Sequence, residues 1–271
     1  MSEVVLYETD GKVGLVTLNR PDKLNAISPE LREALTATLA RADEDATTSV
    51  VVLRAEGRSF CAGFDLGGGG ANKDDWRYDP LKWHPYLKMC LDFEMTPWFM
   101  RKPVVASVQG YALGGGCELT LFCDMTIAAD NAKFGEPETR LSSAGPGLIL
   151  PWLIGYKKAR ELLYMGDMVS AQEALDLGMI NRVVPTAELK DKTLAFAHRL
   201  ALIAPEALAQ TKLAINRGAN AAGFRNAMQA CLDTLAPLYA ARTEMRTKMQ
   251  EMTKEKGFGA ALKWRNAQFE D

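Results

Sequence analysis

Short apolar runs separated by glycine- or proline-containing loops fill the first two thirds of the chain, and long helical periodicities fill the rest. Val4–Glu8 and Val13–Asn19 flank Asp10-Gly11, the pattern of a two-stranded hairpin. Ser28 can cap a helix that begins at Pro29, with Leu31, Ala34, Leu35, Thr38, Leu39 and Ala42 at helical spacing. Ser49–Arg54 is nearly all β-branched, which predicts a parallel strand buried on both faces. Pro103–Val108, Met125–Ala129 and Ile180–Val184 read as further strands, and Leu148–Ile154 and Ala159–Met165 as apolar helices. Ser170-Ala171-Gln172-Glu173 is a capping box opening a helix that Gly178 ends. From about Glu188 the spacing predicts helices only: Leu189–Ile203, Pro205–Asn216 and Ala219–Met252, the last with an apolar stripe (Ala227, Cys231, Thr234, Leu235, Leu238) and a kink or break at Pro237. Helices with no strand of their own need a partner surface, so self-association is expected through this region.

Two strands lead into glycine loops. Ser49–Arg54 runs into Gly57–Leu66, and Pro103–Val108 runs into Gly110-Tyr111-Ala112-Leu113-Gly114-Gly115-Gly116-Cys117-Glu118. Adjacent parallel strands end on the same side, so the two loops should meet at one crevice. A helix starting at the three glycines would present bare N–H donors where negative charge collects, with Glu118 in its first turn. Such donors can hold an oxyanion while a carboxylate moves a proton. The same residues also fit a tight strand-to-helix turn whose glutamate complements the helix dipole, and both readings stay open at this point. Phe134-Gly135-Glu136-Pro137-Glu138 reads as a polar turn, with Glu138 alone consistent with a surface carboxylate. Within Lys73–Met100, Leu87, Cys90, Leu91 and Glu94 read as the core stripe of a surface helix, while the dense aromatics also suit a movable wall over an apolar pocket.

Composition narrows the chemistry. At 271 residues the chain fits one large domain, or one domain with an appendage, and a net charge of −2 gives no field to recruit nucleic acid or anionic lipid. The start, Met1-Ser2-Glu3-Val4, has no basic-then-apolar leader and no window approaches a membrane span, so a cytoplasmic protein is expected. Five cysteines without a C-x-x-C pair argue against a disulfide framework or a zinc ribbon. The two histidines, His84 and His198, stand apart from any glycine elbow, so carboxylates and backbone are left to do the chemistry, without metal.

Asn25-Ala26, Phe60-Cys61-Ala62-Gly63-Phe64-Asp65-Leu66, Gly110–Glu118, Cys123-Asp124 and Phe134–Glu138 together resemble the enoyl-CoA hydratase/isomerase (crotonase) superfamily over nearly the whole chain. The resemblance implies an α/β fold, a crotonase-like spiral of ββα units over 1–187, with a C-terminal helical oligomerisation region over 188–271 that forms a trimer or a dimer of trimers. It implies an acyl-CoA thioester as ligand, no cofactor besides the coenzyme A of that substrate, and neither nucleic acid nor membrane as partner. By position the oxyanion donors are the backbone N–H groups of Phe64 and Gly115, and the two acid/base glutamates of the hydratases fall on Glu118 and Glu138. Lys23, Leu24, Ala26, Ala62, Gly63, Asp65, Leu66 and Gly114 correspond to the substrate-binding surface, where Lys23 can meet a phosphate. Both glutamates being present favours hydration of a trans-2-enoyl-CoA. Isomerisation, hydrolysis or C–C cleavage on the same hole, or a silent CoA- or RNA-binding relative, are the alternatives. One segment departs from the pattern. Where hydratases carry Pro-Gly-x-Gly-Gly, this chain has Ser143-Ala144-Gly145-Pro146-Gly147-Leu148. Gly67–Met100 is longer than in short-chain hydratases, which suits a bulky acyl group, and Lys263, Trp264 and Arg265 lie where relatives meet CoA phosphates.

Overall fold

Asp10-Gly11 reverses the chain as the hairpin signal requires, with Gly11 at φ +56°. β1 (Val5–Asp10) therefore pairs antiparallel with β2 (Val13–Leu18). The structure, a computed structural model, describes residues 3–65 and 78–269. α1 (Pro29–Glu44) starts at Pro29, and the Ser28 hydroxyl accepts the Leu31 N–H at 3.2 Å. Its buried residues are Leu31, Leu35, Leu39 and Ala42, the face the periodicity predicts. There follow β3 (Val50–Ala55), α2 (Pro80–Glu94), the short α3 (Thr96–Phe99), β4 (Val104–Val108), β5 (Tyr111–Leu113), α4 (Gly115–Leu121), β6 (Met125–Ala129) and β7 (Lys133–Gly135). A 3₁₀ turn (Pro137–Leu141), α5 (Leu150–Ile154), α6 (Tyr156–Met165), β8 (Met168–Ser170), α7 (Ala171–Asp176) and β9 (Arg182–Val184) complete the mixed part. The helices α8 (Leu189–Leu200), α9 (Pro205–Ala221), α10 (Phe224–Ala240), α11 (Glu244–Lys256) and α12 (Phe258–Asn266) end the chain. The expected turn at Phe134–Glu138 is half strand: Phe134 and Gly135 belong to β7, and the turn begins only at Pro137, which has no N–H for a ladder.

The large sheet has the order β1-β2-β3-β4-β6-β9, parallel from β2 onward, and the small one the order β5-β7-β8. A parallel bridge between Cys61 and Ala112 extends the second row back to the loop after β3. Each turn of chain thus lays one strand on the large sheet and one on the small row, which is the ββα spiral. Burial alternates along the large sheet as a period of two demands. Val16, Leu18, Val51, Leu53, Val104 and Ala106 join the main core on one face, while Val13, Leu15, Val50, Val52 and Val105 join a second core on the other.

That second core corrects one expectation. α8 does have strands to pack on: Leu189, Ala197 and Ala201 cover β3, β4 and β6. α10 packs along α2, anchored by Phe224, which stacks on Trp98 at 4.6 Å and meets Trp152 edge-on at 5.2 Å. The expected break at Pro237 is also displaced. α10 runs through Pro237 to Ala240, and the interruption falls at 241–243, where the Thr243 side chain caps α11. α9 is held by buried Lys212, whose ammonium donates to the carbonyls of Pro97 (2.7 Å) and Lys102 (3.1 Å) and to the Asp124 carboxylate (2.7 Å). Asp124 also accepts the Val104 N–H at 2.7 Å, so the Cys123-Asp124 pair pins α9 to the start of β4. Among the described residues no helix is long and apolar enough to cross a membrane.

The start of α4 touches the second row of strands where Gly116 faces Cys61. A Cβ on Gly116 would lie 2.6 Å from the Cys61 carbonyl oxygen and 2.8 Å from its sulfur. Glycine to alanine inside a helix ordinarily stabilises by about 1 kcal/mol. Here backbone cannot retreat, so Gly116→Ala should instead destabilise by about 1–3 kcal/mol in chemical denaturation; a variant as stable as the parent would show that the loops are not so closely packed.

Candidate active site

Asn25 organises the first loop. It is fully buried at φ +52°, a conformation asparagine tolerates better than most side chains. Its side-chain oxygen accepts the Arg20 N–H at 2.7 Å, and its amide donates to the carbonyls of Glu56 and Ser59, each at 2.9 Å. The loop is tied further by Ala62 N–H to the Leu24 carbonyl (3.0 Å), Ile27 N–H to the Gly63 carbonyl (2.8 Å) and Asp65 N–H to the Ile27 carbonyl (3.1 Å). The last two bonds flank Phe64 and leave its own N–H with no acceptor among the described residues. Arg20 reaches Asp65 at 3.5 Å. Lys23 is exposed in the 3₁₀ turn Pro21–Lys23, and Leu24 and Ala26 are half-buried beside it. Leu66 lies outside the described residues.

The second loop abuts the first. A Cβ on Gly63 would stand 2.8 Å from the Leu113 carbonyl. Gly114, at φ +53°, gives its N–H to the Gly135 carbonyl at 2.8 Å, and its own carbonyl accepts from Cys117 and Glu118. Gly115 opens α4, and among the described residues nothing accepts its N–H. The ring of Phe64 and the carboxyl of Glu94 lie against it, 2.5 Å and 3.0 Å from where a Cβ would be. Phe64 also meets Phe93 of α2 edge-on at 6.4 Å.

Four glutamates converge here, and no ion pair with a cation reaches any of them among the described residues. Glu118 is fully buried; its Oε1 accepts the Gly147 N–H at 2.8 Å and its Oε2 has no partner. Glu138 sits with Oε1 2.3 Å from the place a Cβ on Gly114 would take, and its Oε2 is buried and unpartnered. Glu94 and Glu136 are buried with both oxygens unpartnered. Burial pushes Glu118 up to about 8, with the charge of Glu138 adding to it, while Glu94 and the Gly147 N–H pull the other way. Burial pushes Glu138 up to about 7. Glu94 and Glu136 are driven well above the usual carboxylate range by burial first and by the charge of Glu118 next.

The C-terminal helices brace this arrangement. The Tyr239 hydroxyl of α10 donates to the Ala144 carbonyl at 2.9 Å, and its ring lies 4.8 Å from that of Trp83 on α2. Arg246 donates to the Ser142 carbonyl at 2.8 Å, and Arg265 to the Arg140 carbonyl. The segment 138–147, which carries Glu138 and the donor to Glu118, is thus held from α10, α11 and α12. Arg265 stacks on Phe269, and Lys248 lies over Trp264.

A family model described as enoyl-CoA hydratase/isomerase matches residues 8–260. The chain belongs to the enoyl-CoA hydratase/isomerase family. It is 38% identical over 218 residues to a probable enoyl-CoA hydratase of Rhizobium meliloti (strain 1021), covering 79% of this chain and 82% of the relative. Its fold is similar to that of an enoyl-CoA hydratase/isomerase from Xanthobacter autotrophicus Py2 (TM-score 0.92, 35% identity, 99% of both chains). It is also similar to an enoyl-CoA hydratase from Mycobacterium smegmatis (TM-score 0.90, 26% identity, 98% of this chain and 94% of the other).

In this enoyl-CoA hydratase/isomerase family chain, Phe64, Gly114, Gly115, Glu118 and Glu138 come together, with Ala62, Gly63 and Asp65 on the adjoining loop. Glu94 and Glu136 were not expected there. Helical spacing puts Glu94 on the core stripe of α2, but spacing does not say that the core at that point is the site. Gly147 could be found from sequence only as a displaced member of the glycine segment, and it proves to be the donor to Glu118. Asn25 carries the shape of the Phe64 loop through three hydrogen bonds. Asn25→Ala should therefore cost on the order of 3 kcal/mol in denaturation, whereas Lys23→Ala, on the surface, should leave stability unchanged.

Proposed function

We propose that this family member is an enoyl-CoA hydratase, adding water across the 2,3 double bond of a trans-2-enoyl-CoA. The observation that carries the reading is the pair Glu118 and Glu138: Glu138 lies against Gly114, Glu118 stands in the first turn of α4 against Gly145 and Gly147, and each has one buried oxygen unpartnered among the described residues. Hydration needs a base for a proton of water and an acid for the α-carbon, and two carboxyls sharing one proton can be both. The N–H groups of Phe64 and Gly115 supply the oxyanion hole for the thioester oxygen, each contributing about 3 kcal/mol to the transition state. Polarisation toward the enolate opens C3 to attack. The water oxygen bonds to C3, its proton passes to the ionised glutamate, and C2 takes the proton of the other. The Phe64 side chain matters through where it packs, and its amide through what it donates.

The acyl group extends from the thioester toward α2, where Phe93 and Phe64 present aromatic surface, favouring bulky, cyclic or aromatic acyl chains over short ones. Lys23 and the Leu24–Ala26 backbone face the coenzyme A moiety. The protein works as a homo-oligomer, a trimer or dimer of trimers. Leu202, Ile203, Leu213 and Ile215 of the C-terminal region, between 41% and 85% exposed in the single chain, supply apolar area for it. An isomerase on the same oxyanion hole would need only one of the two glutamates for proton transfer.

Loss of enoyl absorbance from crotonyl-CoA and from an aromatic enoyl-CoA tests this directly. Glu118→Gln and Glu138→Gln should each lower kcat by roughly 10²-fold or more. Binding without turnover, or hydration at the parent rate in either variant, would overturn the hydratase in favour of the other reactions. The pH dependence carries a second expectation. Below about 7 both carboxyls hold protons and no base remains; above about 8 both are ionised and no acid remains. Activity should therefore peak between these values and fall on both sides, unlike an enzyme whose single carboxylate ionises in the ordinary acidic range.

A further inference from the structure

α2 delivers one side chain that neither the two-glutamate chemistry nor the packing of the helix accounts for. Its other buried residues are apolar: Trp83, Leu87, Cys90, Leu91 and Phe93. Glu94 is 0% exposed among them, touches Gly115, and has both oxygens without a hydrogen-bond partner. No cation is paired with it among the described residues. A carboxylate so placed would be an uncompensated buried charge, so the group is a neutral acid, with one proton to give. The side chain positioned to take that proton is Glu118: it stands three residues after Gly115 in the first turn of α4, on the same side of the helix, and its Oε2 is unpartnered while its Oε1 is engaged by Gly147. A single proton between the two carboxyls gives a partner to Glu118 Oε2 and to one of the two Glu94 oxygens. Two ionised carboxylates in the same place would repel.

We propose that Glu94 is a positioning residue of the site, a neutral acid that gives its hydrogen bond to Glu118, so that Glu118 works as half of a proton-sharing carboxyl pair. The proposal rests on Glu118 being a proton-transfer residue, and it adds a third carboxyl with its own task. A donor held against Glu118 favours its ionised form and so makes Glu118 the readier acid toward the α-carbon; the direction agrees with the opposed effects the two groups have on each other. The other titratable groups around the pair are Glu138 on the 3₁₀ turn, Glu136 just before it, Cys117 on α4, Cys90 on α2 itself, and Cys231 and Tyr239 on α10. Burial raises Cys231 and Tyr239, so neither replaces Glu94 as a charge near neutrality.

Glu94→Gln keeps a donor of the same shape, and Glu94→Leu removes it. Titration of the Glu118 carboxyl, followed by the ¹³C resonance of glutamate-labelled protein without substrate, should move upward by about one pH unit, tenfold in proton affinity, in the leucine variant. It should stay within about 0.3 in the glutamine variant. The infrared absorption of neutral carboxyls should fall by one group's share in Glu94→Gln relative to the parent, the shares of the other buried glutamates remaining, a readout available even if Glu94→Leu folds poorly. An undiminished neutral-carboxyl absorption in Glu94→Gln, or a Glu118 titration shifted equally by both variants, overturns the proposal. These measurements need no turnover, so they stand apart from the hydration assay: failure of Glu118→Gln to slow hydration would sink the hydratase reading and leave the Glu94 result to be judged on the titration alone.

Discussion

Backbone meets backbone at the centre of this protein with no side chain between. Gly116 against Cys61 and Gly63 against Leu113 are the points where the loops after β3 and β4 close on each other, and a methyl group at either would come within 2.8 Å of a neighbouring carbonyl oxygen. Everything chemical follows from that approach. It brings the Phe64 and Gly115 N–H groups onto abutting stretches of chain, with hydrogen bonds on both sides of Phe64 and at Gly114 before Gly115, while the two N–H groups themselves have no acceptor among the described residues. Asn25 and Gly114 serve the same end from outside, each in the left-handed region, one bonding the first loop into shape and the other passing its N–H to Gly135.

The second constraint is electrostatic. Gathering Glu94, Glu118, Glu136 and Glu138 in a buried space, with no cation paired to them among the described residues, leaves protonation as the means of avoiding mutual repulsion. Neutral carboxyls are tolerable in an apolar environment where carboxylates are not. The same burial that would destabilise an ionised cluster supplies acids that still hold protons near neutral pH. Of the four, only Glu118 accepts a backbone N–H from the adjoining glycine segment, and that bond lets it share a proton rather than keep it. Differences in partner, on a shared background of burial, are what separate the four groups.

Much of this was legible in the residues. The hairpin, the Ser28 cap, the apolar face of α1, the doubly buried β3 and the convergence of the two glycine loops all follow from period, capping and parallel pairing, and the structure has each of them. Three things were not legible, each for a physical reason. Pro237 marks a lost hydrogen bond but not whether the surrounding packing tolerates it, and α10 against α2 does. Helical spacing assigns Glu94 to an inward face without saying what lies inward. Gly145-Pro146-Gly147 reads as a loop from composition, but that its second glycine donates to Glu118 depends on a contact across 29 positions of sequence.

The C-terminal helices show why local pattern under-describes them. Read alone they are amphipathic segments in want of a surface, and α9 does leave Leu213 and Ile215 exposed. Yet α8 fills the second face of the sheet, and α10 supplies Tyr239, which fastens to Ala144 and packs its ring at a tilt against Trp83. Arg246 and Arg265 add two more bonds, to Ser142 and Arg140. All three hold carbonyls of the one segment that must present Glu138 and Gly147 together. Loosening that segment would separate Glu138 from Gly147, the donor to Glu118, with no change to either glutamate. Fixing it from the end of the chain means that the geometry of the Glu118 and Glu138 carboxyls is complete only once the last helices have docked.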